Sequence, residues 1–318
     1  MHFTTNNRQY LNICYDISLF HSRNAVATIG IFDGVHTGHQ LIIKRLKDLA
    51  SAYGSETLII TLWPHPRFVL QPENKELRLL TTLDEKIEII RNHGIDHLLI
   101  ISFTKEFAET TYEEFIRLYL VEKVRARHVV VGYNHHFGKD RQGSFESLLQ
   151  SSSKYNFSAE RMSPVIINNS DVSSSAIRRN IAIGNMVFSN EALGYRYFLQ
   201  GKVIAGTRMG RKLGYPTANI AINDAKKLIP RNGVYAVDVE LDRRSFKGMA
   251  NIGIRPTIES QVHQQTVEVH IFDFGENIYG QSITVFFKDR IRNEIKFASV
   301  NSLIKQIDAD KREIMARF

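Results

Sequence analysis

The chain of 318 residues contains only one cysteine, one tryptophan and seven prolines. Because Cys14 stands alone, no internal disulfide can form, which favours a reducing compartment. No apolar run approaches the ~20 residues that a membrane helix needs. The first residues lack a basic segment followed by an apolar core, so we predict no signal peptide and a cytoplasmic location.

Acidic side chains are also in the minority. The 41 Lys and Arg exceed the 33 Asp and Glu, which gives a net charge of +8 and a pI near 9.4. Such a surplus attracts nucleic acid, anionic membranes or polyphosphate substrates, although it equally describes a basic surface with no specific partner. The length indicates two domains of roughly 150 residues each, and the hydrophobic share of 43% can fill large cores.

The first half alternates buried strands with amphipathic helices. Residues 26–32 and 57–63 predict strands buried on both faces, and residues 38–53 between them have helical spacing that ends at Gly54. Helices and strands continue to alternate, with short links, up to about residue 132. This pattern predicts a doubly wound, Rossmann-like α/β domain with a parallel sheet.

The pattern changes near residue 190. Stretches of period-two alternation follow at 196–206, 233–242, 245–254, 265–274 and 281–291. They predict an antiparallel β-barrel or sandwich, and the spacing of residues 300–318 predicts a helix packed on it. We place the boundary within 187–193, so that the predicted domains are 1–188 and 189–318.

The segment TIGIFDGVHTGHQ, residues 28–40, lies where the first strand gives way to the first helix. Ligands of doubly wound sheets bind at such strand ends, and a helix amino end favours an anion. His36 and His39 can point at one object and donate to phosphate oxygens, while Gly38 lets a ligand approach the backbone. The alternatives are a metal pair, for which no Cys/His cluster supplies a third ligand, and two solvated histidines.

A second polar segment is DVSSSAIRRNI, residues 171–181. Ser173 and Ser174 can cap a helix and donate hydroxyls to phosphate, and the guanidinium of Arg178 can take a β- or γ-phosphate. The alternative is an ordinary serine cap followed by a solvated arginine.

The third segment is GKVIAGTRMGRKLGYPTANI, residues 201–220. Its strands are interrupted at Gly206, Gly210 and Gly214. Thr217 and Asn219 alternate along an extended piece and can face one side, where hydroxyl and amide oxygens suit Mg²⁺. A glycine-rich turn with solvated Arg208 and Lys212 is the alternative, but it explains the sequence PTAN poorly.

Together these motifs resemble one family. GIFDGVHTGHQ, PHPRFVL (64–70), VVVGYNHHFGKDRQGS (129–144) and SSSAIRRNI occur in the order seen in prokaryotic bifunctional riboflavin kinase/FAD synthetases, and the PTAN segment, NIGIRPTI (251–258) and VEVHIFDF (267–274) extend the resemblance over nearly the whole chain. It implies that the second domain phosphorylates riboflavin to FMN and that the first joins AMP from ATP to FMN, giving FAD and pyrophosphate. The implied cofactor is Mg²⁺, and the partners are small molecules, without nucleic acid or membrane. A homo-oligomer is compatible with it.

The resemblance also assigns roles to residues of this sequence. It implies that His36, His39 and Arg178 act on the phosphates during adenylyl transfer and that Glu268 accepts the proton of the riboflavin 5′-hydroxyl. Thr217 and Asn219 are implied as ligands of Mg²⁺. The implied ATP- and phosphate-binding residues are Gly30, Phe32, Gly38, Asn134, Ser173, Ser174, Gly206, Arg211, Gly214, Pro216, Thr217 and Asn219.

The sequence departs from the family pattern at three positions. His135 stands where Phe is usual, Trp63 precedes PHP where an acidic residue is common, and Ser175 replaces Thr but keeps a hydroxyl. None of the three removes a phosphate-binding group. His135 is expected to reshape the flavin or adenine pocket.

A different class of function also fits the charge: a nucleic-acid-binding protein whose basic barrel holds RNA or single-stranded DNA. The 12 Tyr and 19 Phe permit it. Single-strand binding, however, needs exposed aromatic residues interleaved with basic ones on one face. Here the aromatic residues of the barrel alternate with charges, as core and surface residues do, and on this view Glu268 is an exposed strand residue.

Overall fold

The computed structural model describes residues 10–22, 24–73, 76–206, 209–255 and 264–317. The chain divides into two compact units between Ser174 and Ser175, and each unit is described by itself. Arg208, the side chain of Lys212 and residues 256–258, all named above, lie outside the described part of the chain.

The first unit contains a six-stranded sheet and a small hairpin. The sheet strands are β1 Asn12–Cys14, β2 Ala25–Ile29, β3 Glu56–Trp63, β4 His97–Ser102, β5 Ala126–Val131 and β6 Ser158–Arg161, and the hairpin strands are β7 Ile166–Ile167 and β8 Ser170–Asp171. The sheet order is β1-β4-β3-β2-β5-β6, and every neighbouring pair is parallel. The predicted doubly wound parallel sheet is therefore confirmed.

Helices cover this sheet. They are α1 Thr37–Tyr53, α2 Pro66–Leu70, α3 Leu83–Asn92, α4 Lys105–Ala108, α5 Tyr112–Glu114 and α6 Phe145–Tyr155, with 3₁₀ turns at Ile17–Leu19 and Lys139–Arg141. As predicted, α1 ends at Gly54, whose φ of 59° is left-handed. Between β4 and β5, the short α5 continues into a π-helix, Phe115–Lys123.

The central strand β2 is buried along its whole length. Ala25, Ala27 and Ile29 belong to a core cluster that includes Phe115 and Leu120 of the π-helix. A strand covered on both faces is what a parallel α/β sheet requires. The loop after β2 therefore starts from a fixed position.

The strand order reverses between β2 and β5, because the chain continues from β2 to β3 on one side and from β5 to β6 on the other. In doubly wound sheets, ligands bind beyond the carboxyl ends of the strands at such a reversal. The loops that follow β2 and β5 are therefore the expected place for a ligand in this unit.

The second unit is a closed barrel with four helices. Its strands are β9 Phe198–Ile204, β10 Ala218–Ile222, β11 Gly233–Leu241, β12 Arg244–Arg255, β13 Gln264–Ile271 and β14 Ser282–Arg292. Their order around the barrel is β10-β13-β12-β11-β14-β9, and all pairs are antiparallel. The helices are α7 Ser174–Ile183, α8 Met186–Leu193, α9 Met209–Lys212 and α10 Val300–Ala316. The predicted antiparallel barrel is confirmed.

Both the barrel alternation and the tail helix follow the prediction. Val267, Val269 and Ile271 of β13 are buried, while Glu268 between them is half-buried. Ile314 of α10 is buried in a cluster with barrel residues, so the tail helix packs on the barrel.

The helix α8 is tied to the same barrel through one amide side chain. Asn190 Nδ2 donates to the carbonyls of Phe287 and Lys288 at 2.9 and 3.1 Å, and its Oδ1 accepts from the backbone N–H of Tyr197 at 2.8 Å. Burying an amide with both ends satisfied holds a helix at a defined position. This explains why α8 forms one compact unit with the strands.

Candidate active sites

The loop between β2 and α1 is held by hydrogen bonds of its own backbone and of its buried Asp33 carboxylate to other segments. Asp33, which is 2% exposed, accepts from the backbone N–H of Leu80 at 3.0 Å and of Thr81 at 3.1 Å. The hydroxyl of Thr81 accepts from the N–H of Gly34, and the hydroxyl of Ser174 donates to the Asp33 carbonyl at 2.9 Å. The loop is thus fixed from two distant parts of the sequence.

Besides Gly34, two residues of this loop have left-handed backbone conformations, Phe32 at φ 52° and Val35 at φ 36°. Such conformations in residues other than glycine persist only where the surroundings impose them. The buried ring of Phe32 lies against His39, with ring centroids 4.7 Å apart. A Cβ at Gly30 would come within 3.0 Å of the Phe32 ring, so glycine leaves room for it.

The two histidines of the motif lie together at the amino end of α1. His36 is the N-cap residue, and its ring stacks on that of His39 with centroids 3.6 Å apart and planes 18° apart. Burial, and then the charges of His36 and Lys86, hold the pKa of His39 well below its usual range. A Cβ at Gly38 would lie 3.2 Å from the His36 ring. The result is a neutral imidazole beside a helix amino end, which suits donation to an anion.

The remaining predicted residues of this site are spread over other segments. Asn134 is exposed in the loop after β5, the neighbour of β2 in the sheet, and Ser173 is half-buried just before α7. Ser174 reaches the histidine loop directly through the Asp33 carbonyl. Arg178 is half-buried within α7 and is part of the second unit.

His135 keeps the aromatic character of the position where the family has Phe. Its ring stacks on Phe137 with centroids 5.6 Å apart and planes 20° apart. Burial, followed by the charges of His136 and Arg141, lowers the pKa of His135 to about 4. The ring is therefore neutral at physiological pH and presents a flat face, with a polar Nε2 that has no hydrogen-bond partner in the described part of the chain.

In the barrel, three predicted residues meet at neighbouring strands. Asn219 of β10 lies directly opposite Glu268 of β13 in the strand register, and the Thr217 hydroxyl donates to Glu268 Oε2 at 3.4 Å. On the other side of Glu268, the register places Asn251 of β12. Asn251 was not predicted, although it begins the NIGIRPTI motif. A carboxylate thus stands between two amides, next to a hydroxyl.

The segment that carries Thr217 is anchored on both sides. His270 Nδ1 lies 2.8 Å from the carbonyl of Pro216, and since a carbonyl only accepts, this nitrogen carries the proton. Tyr215 packs edge-on against His270, with centroids 5.5 Å apart, and its hydroxyl donates to Asp308 of α10. His270, two residues after Glu268 on the same strand, is covered and only 8% exposed. Its burial lowers its pKa and leaves it as an anchor for the segment.

The glycines of the segment allow close packing around it. A Cβ at Gly206 would overlap the side-chain amide of Asn219, and one at Gly210 would overlap the carbonyl of Tyr215. Gly214 has a left-handed φ of 85°. Arg211 is exposed on the short helix α9. The glycines therefore serve the packing of the Thr217 segment, and Arg211 is available to solvent or ligand.

Two findings concern what the described residues lack. They contain no group of three or more His, Cys, Asp or Glu side chains arranged to hold a metal ion. Within the same residues, no helix has the length and apolar character required to span a bilayer.

The fold and the two sites define a chain of two enzyme modules, and the comparisons with known proteins give each module a family. The model of the FAD synthetase family matches residues 20–176, and that of the riboflavin kinase family matches residues 193–318. The first match covers the histidine loop, and the second covers the barrel with its Thr217 segment.

Relatives carry both modules in one chain. The bifunctional riboflavin kinase/FMN adenylyltransferase of Listeria monocytogenes is 36% identical over 93% of this chain and 93% of its own length, and that of Escherichia coli K12 is 33% identical over 95% of both. The chain belongs to the family of bifunctional riboflavin kinase/FMN adenylyltransferases. A crystal structure described as a macrolide-efflux protein from Streptococcus pneumoniae has the same fold, with a TM-score of 0.87, 30% identity and coverage of 95% of this chain and 97% of that one.

Proposed function

We propose that this chain makes FAD from riboflavin in two steps, each using ATP. The barrel transfers the γ-phosphoryl group of ATP to riboflavin and releases FMN, and the α/β domain transfers AMP from a second ATP to FMN. The observation that carries the proposal is the pairing of the two family matches with the two sites, one in each compact unit. The nucleic-acid-binding alternative has no support among the relatives.

Adenylyl transfer is a displacement at phosphorus. An oxygen of the FMN phosphate attacks the α-phosphorus of ATP, the bond to the β-phosphate oxygen breaks, and pyrophosphate leaves with that electron pair. We assign to His36 and His39 the stabilisation of charge on the phosphate oxygens at the amino end of α1. Support comes from their stacking at 3.6 Å and from the lowered pKa of His39, which keeps that ring neutral. The family resemblance also assigns Ser173, Ser174 and Arg178 to the phosphates.

Riboflavin phosphorylation needs a base near the attacking hydroxyl. The 5′-oxygen attacks the γ-phosphorus, its proton passes to Glu268, and ADP leaves. Support for Glu268 comes from its half-buried position on β13, opposite Asn219 and 3.4 Å from the Thr217 hydroxyl. His270 is 8% exposed and its Nδ1 donates to the Pro216 carbonyl, so we assign it to holding the Thr217 segment.

Mg²⁺ fits the residues of the barrel site. The Thr217 hydroxyl, the Asn219 amide oxygen and the adjacent Glu268 carboxylate are hard oxygen donors of the kind that Mg²⁺ takes. In this proposal, Thr217 and Asn219 hold the ion. When bound, it neutralises charge on the ATP phosphates.

The proposal also covers domains, partners and location. We assign adenylyl transfer to residues 1–188 and phosphorylation to residues 189–318. The partners are the small-molecule substrates, and the basic surplus serves anionic phosphates rather than nucleic acid or a membrane. Cys14 as the single cysteine supports a reducing, cytoplasmic location.

The test is direct. Purified protein is incubated with riboflavin, ATP and Mg²⁺, and the flavins are separated by chromatography. FMN and then FAD are expected. Riboflavin that stays unchanged with ample enzyme would refute both halves, and FMN without FAD, also when FMN is supplied, would refute the first half alone.

A further inference from the structure

A buried lysine lies beneath the histidine loop. Lys86 is the fourth residue of α3 and is only 1% exposed. Its ammonium donates to the carbonyl of Ile31 at 2.7 Å and lies 5.1 Å from the centroid of the Trp63 ring. Lysine is almost never fully buried unless its charge is used or compensated. The side chain therefore needs an explanation beyond packing.

The charged groups around Lys86 show what its charge can act on. Burial lowers the pKa of Lys86 to about 8, against the opposing effect of the Asp33 carboxylate. On the side of α1, the charge of Lys86 contributes to the lowered pKa of His39. The neighbouring carboxylate of Glu85 is engaged with the backbone N–H of Thr82 at 2.9 Å, in the cap of α3. Lys86 is thus mostly protonated at neutral pH and electrostatically coupled to the histidine pair.

Hydrogen bonding alone does not explain a cation here. The carbonyl of Ile31 already accepts from the hydroxyl of Thr61 at 3.1 Å. The ammonium of Lys86 is a second donor to this carbonyl. With donors from both β3 and α3, the Ile31 carbonyl is fixed in direction as well as in position. A cation adds a positive potential at the loop that binds phosphate in the proposed reaction.

We propose that Lys86 is a positioning residue for adenylyl transfer: its buried ammonium fixes the loop through the Ile31 carbonyl and adds positive charge beside the histidine pair. This inference rests on the proposed function of the first unit. It does not require Lys86 to touch ATP or FMN.

Three variants test the role. Lys86→Met removes the charge and the donor, and Lys86→Arg keeps a charge. Lys47→Met is the matched control, because Lys47 also donates to a backbone carbonyl, that of His93 at 3.0 Å, but on the surface of α1. Lys86→Met should lower kcat/KM for FMN adenylylation on the order of 10²-fold, as expected when reacting groups are displaced slightly. Phosphorylation of riboflavin in the same samples should not change, and Lys47→Met should behave as the unaltered protein.

A pH profile separates positioning from simple structural support. As pH rises through about 8, the ammonium of Lys86 is lost, so adenylylation by the unaltered protein should fall. Lys86→Arg should hold its rate over that range, because guanidinium stays charged. Trp63 is the one tryptophan of the chain, so its fluorescence reports the same titration and also the folding of this unit. The transition should be present in the control and absent from both Lys86 variants.

The outcomes are distinguishable. If the unaltered protein makes no FAD from FMN, the proposed function of the first unit fails. If it makes FAD and Lys86→Met does so within a few-fold of the same rate, the role of Lys86 alone is wrong. If Lys86→Met does not fold, as judged by Trp63 emission, the pH profiles still decide, since an unchanged alkaline fall in Lys86→Arg would overturn the proposal.

Discussion

In the first unit, the backbone of the histidine loop is tied down by Asp33, Thr81 and Lys86 before any ligand arrives, and most of these contacts are buried. In the barrel, the polar side chains themselves stand half-buried on neighbouring strands, and Thr217 reaches Glu268 only at 3.4 Å. The first site is preorganised by its backbone, while the second places its functional groups by strand register and leaves their final contacts to the ligand. Variants should therefore affect the two sites in different ways.

The strongest test of this difference between the two sites is to separate the two units. A fragment of residues 187–318 should make FMN and no FAD, because the barrel has its own core. A longer fragment from residue 175 should be more stable, since it keeps α7, which accepts a hydrogen bond from the N–H of Arg231 at its Ile181 carbonyl. Flavin chromatography and thermal unfolding measure both. Loss of kinase activity in the shorter fragment, with activity kept in the longer one, would place the boundary nearer residue 175.

The next largest effect is expected at the base of the kinase. Glu268→Gln keeps the shape of the side chain but cannot take the proton, so FMN formation should fall by ~10²–10⁴. Adenylylation of supplied FMN should not change, because the first unit is intact. Steady-state rates of both half-reactions give the answer. Gln200→Ala, an exposed residue of β9 whose side chain donates to Thr284 of β14, is a control for mere disturbance of the sheet. A kinase rate within a few-fold of the original would remove Glu268 from the mechanism.

At the phosphate site, His36→Ala and Arg178→Ala should each lower FMN adenylylation by ~10²–10³, the usual result of removing one group that stabilises charge in the transition state. Riboflavin phosphorylation should continue. His128→Ala offers a control, because this histidine stacks on Tyr53 and was not predicted for either site. FAD formed at the original rate by the His36 variant would mean that the motif histidines only cap α1.

The smallest predicted effect concerns stability. The pKa of Lys86 is about 8 in the folded chain against 10.5 as the ordinary value, so the unfolded chain binds more protons between these limits. Stability of the first unit, followed by Trp63 fluorescence during urea unfolding, should therefore rise by about 1 kcal/mol from pH 8 to pH 9. The rise should be missing in Lys86→Met, whose stability at neutral pH should not be lower, since Thr61 still donates to Ile31. Equal slopes in both proteins would contradict the assignment of this pKa.

Periodicity was sufficient to predict the two architectures, because burial on both faces of strand β2 and on one face of β13 leaves a direct record in the sequence. It did not predict the short strands β1 and β6 or the helix α8. The motifs also indicated His36, Thr217 and Glu268. The contacts that hold these residues in place were missed because their partners are distant in the sequence: Asp33 binds Thr81, and His270 binds Pro216. Pairings of this kind depend on tertiary structure.

The sequence did contain a signal for the buried position of Lys86. Lys86 precedes Ile89 and Ile90 by three and four residues, which places a charged residue on the buried face of α3. A lysine within an apolar stripe is unusual enough to mark a buried charge. The π-helix at Phe115–Lys123 left no such mark, because its apolar spacing is that of an ordinary helix.

The closure of the barrel bears on how the chain avoids association with other copies. A closed sheet has no free edge to which another strand could add. The parallel sheet of the first unit does have two edges, but they are formed by its shortest strands, Asn12–Cys14 and Ser158–Arg161. Short edge strands offer few unpaired N–H and C=O groups for intermolecular pairing. The first unit can thus contain a six-stranded sheet with little backbone open to edge-to-edge pairing.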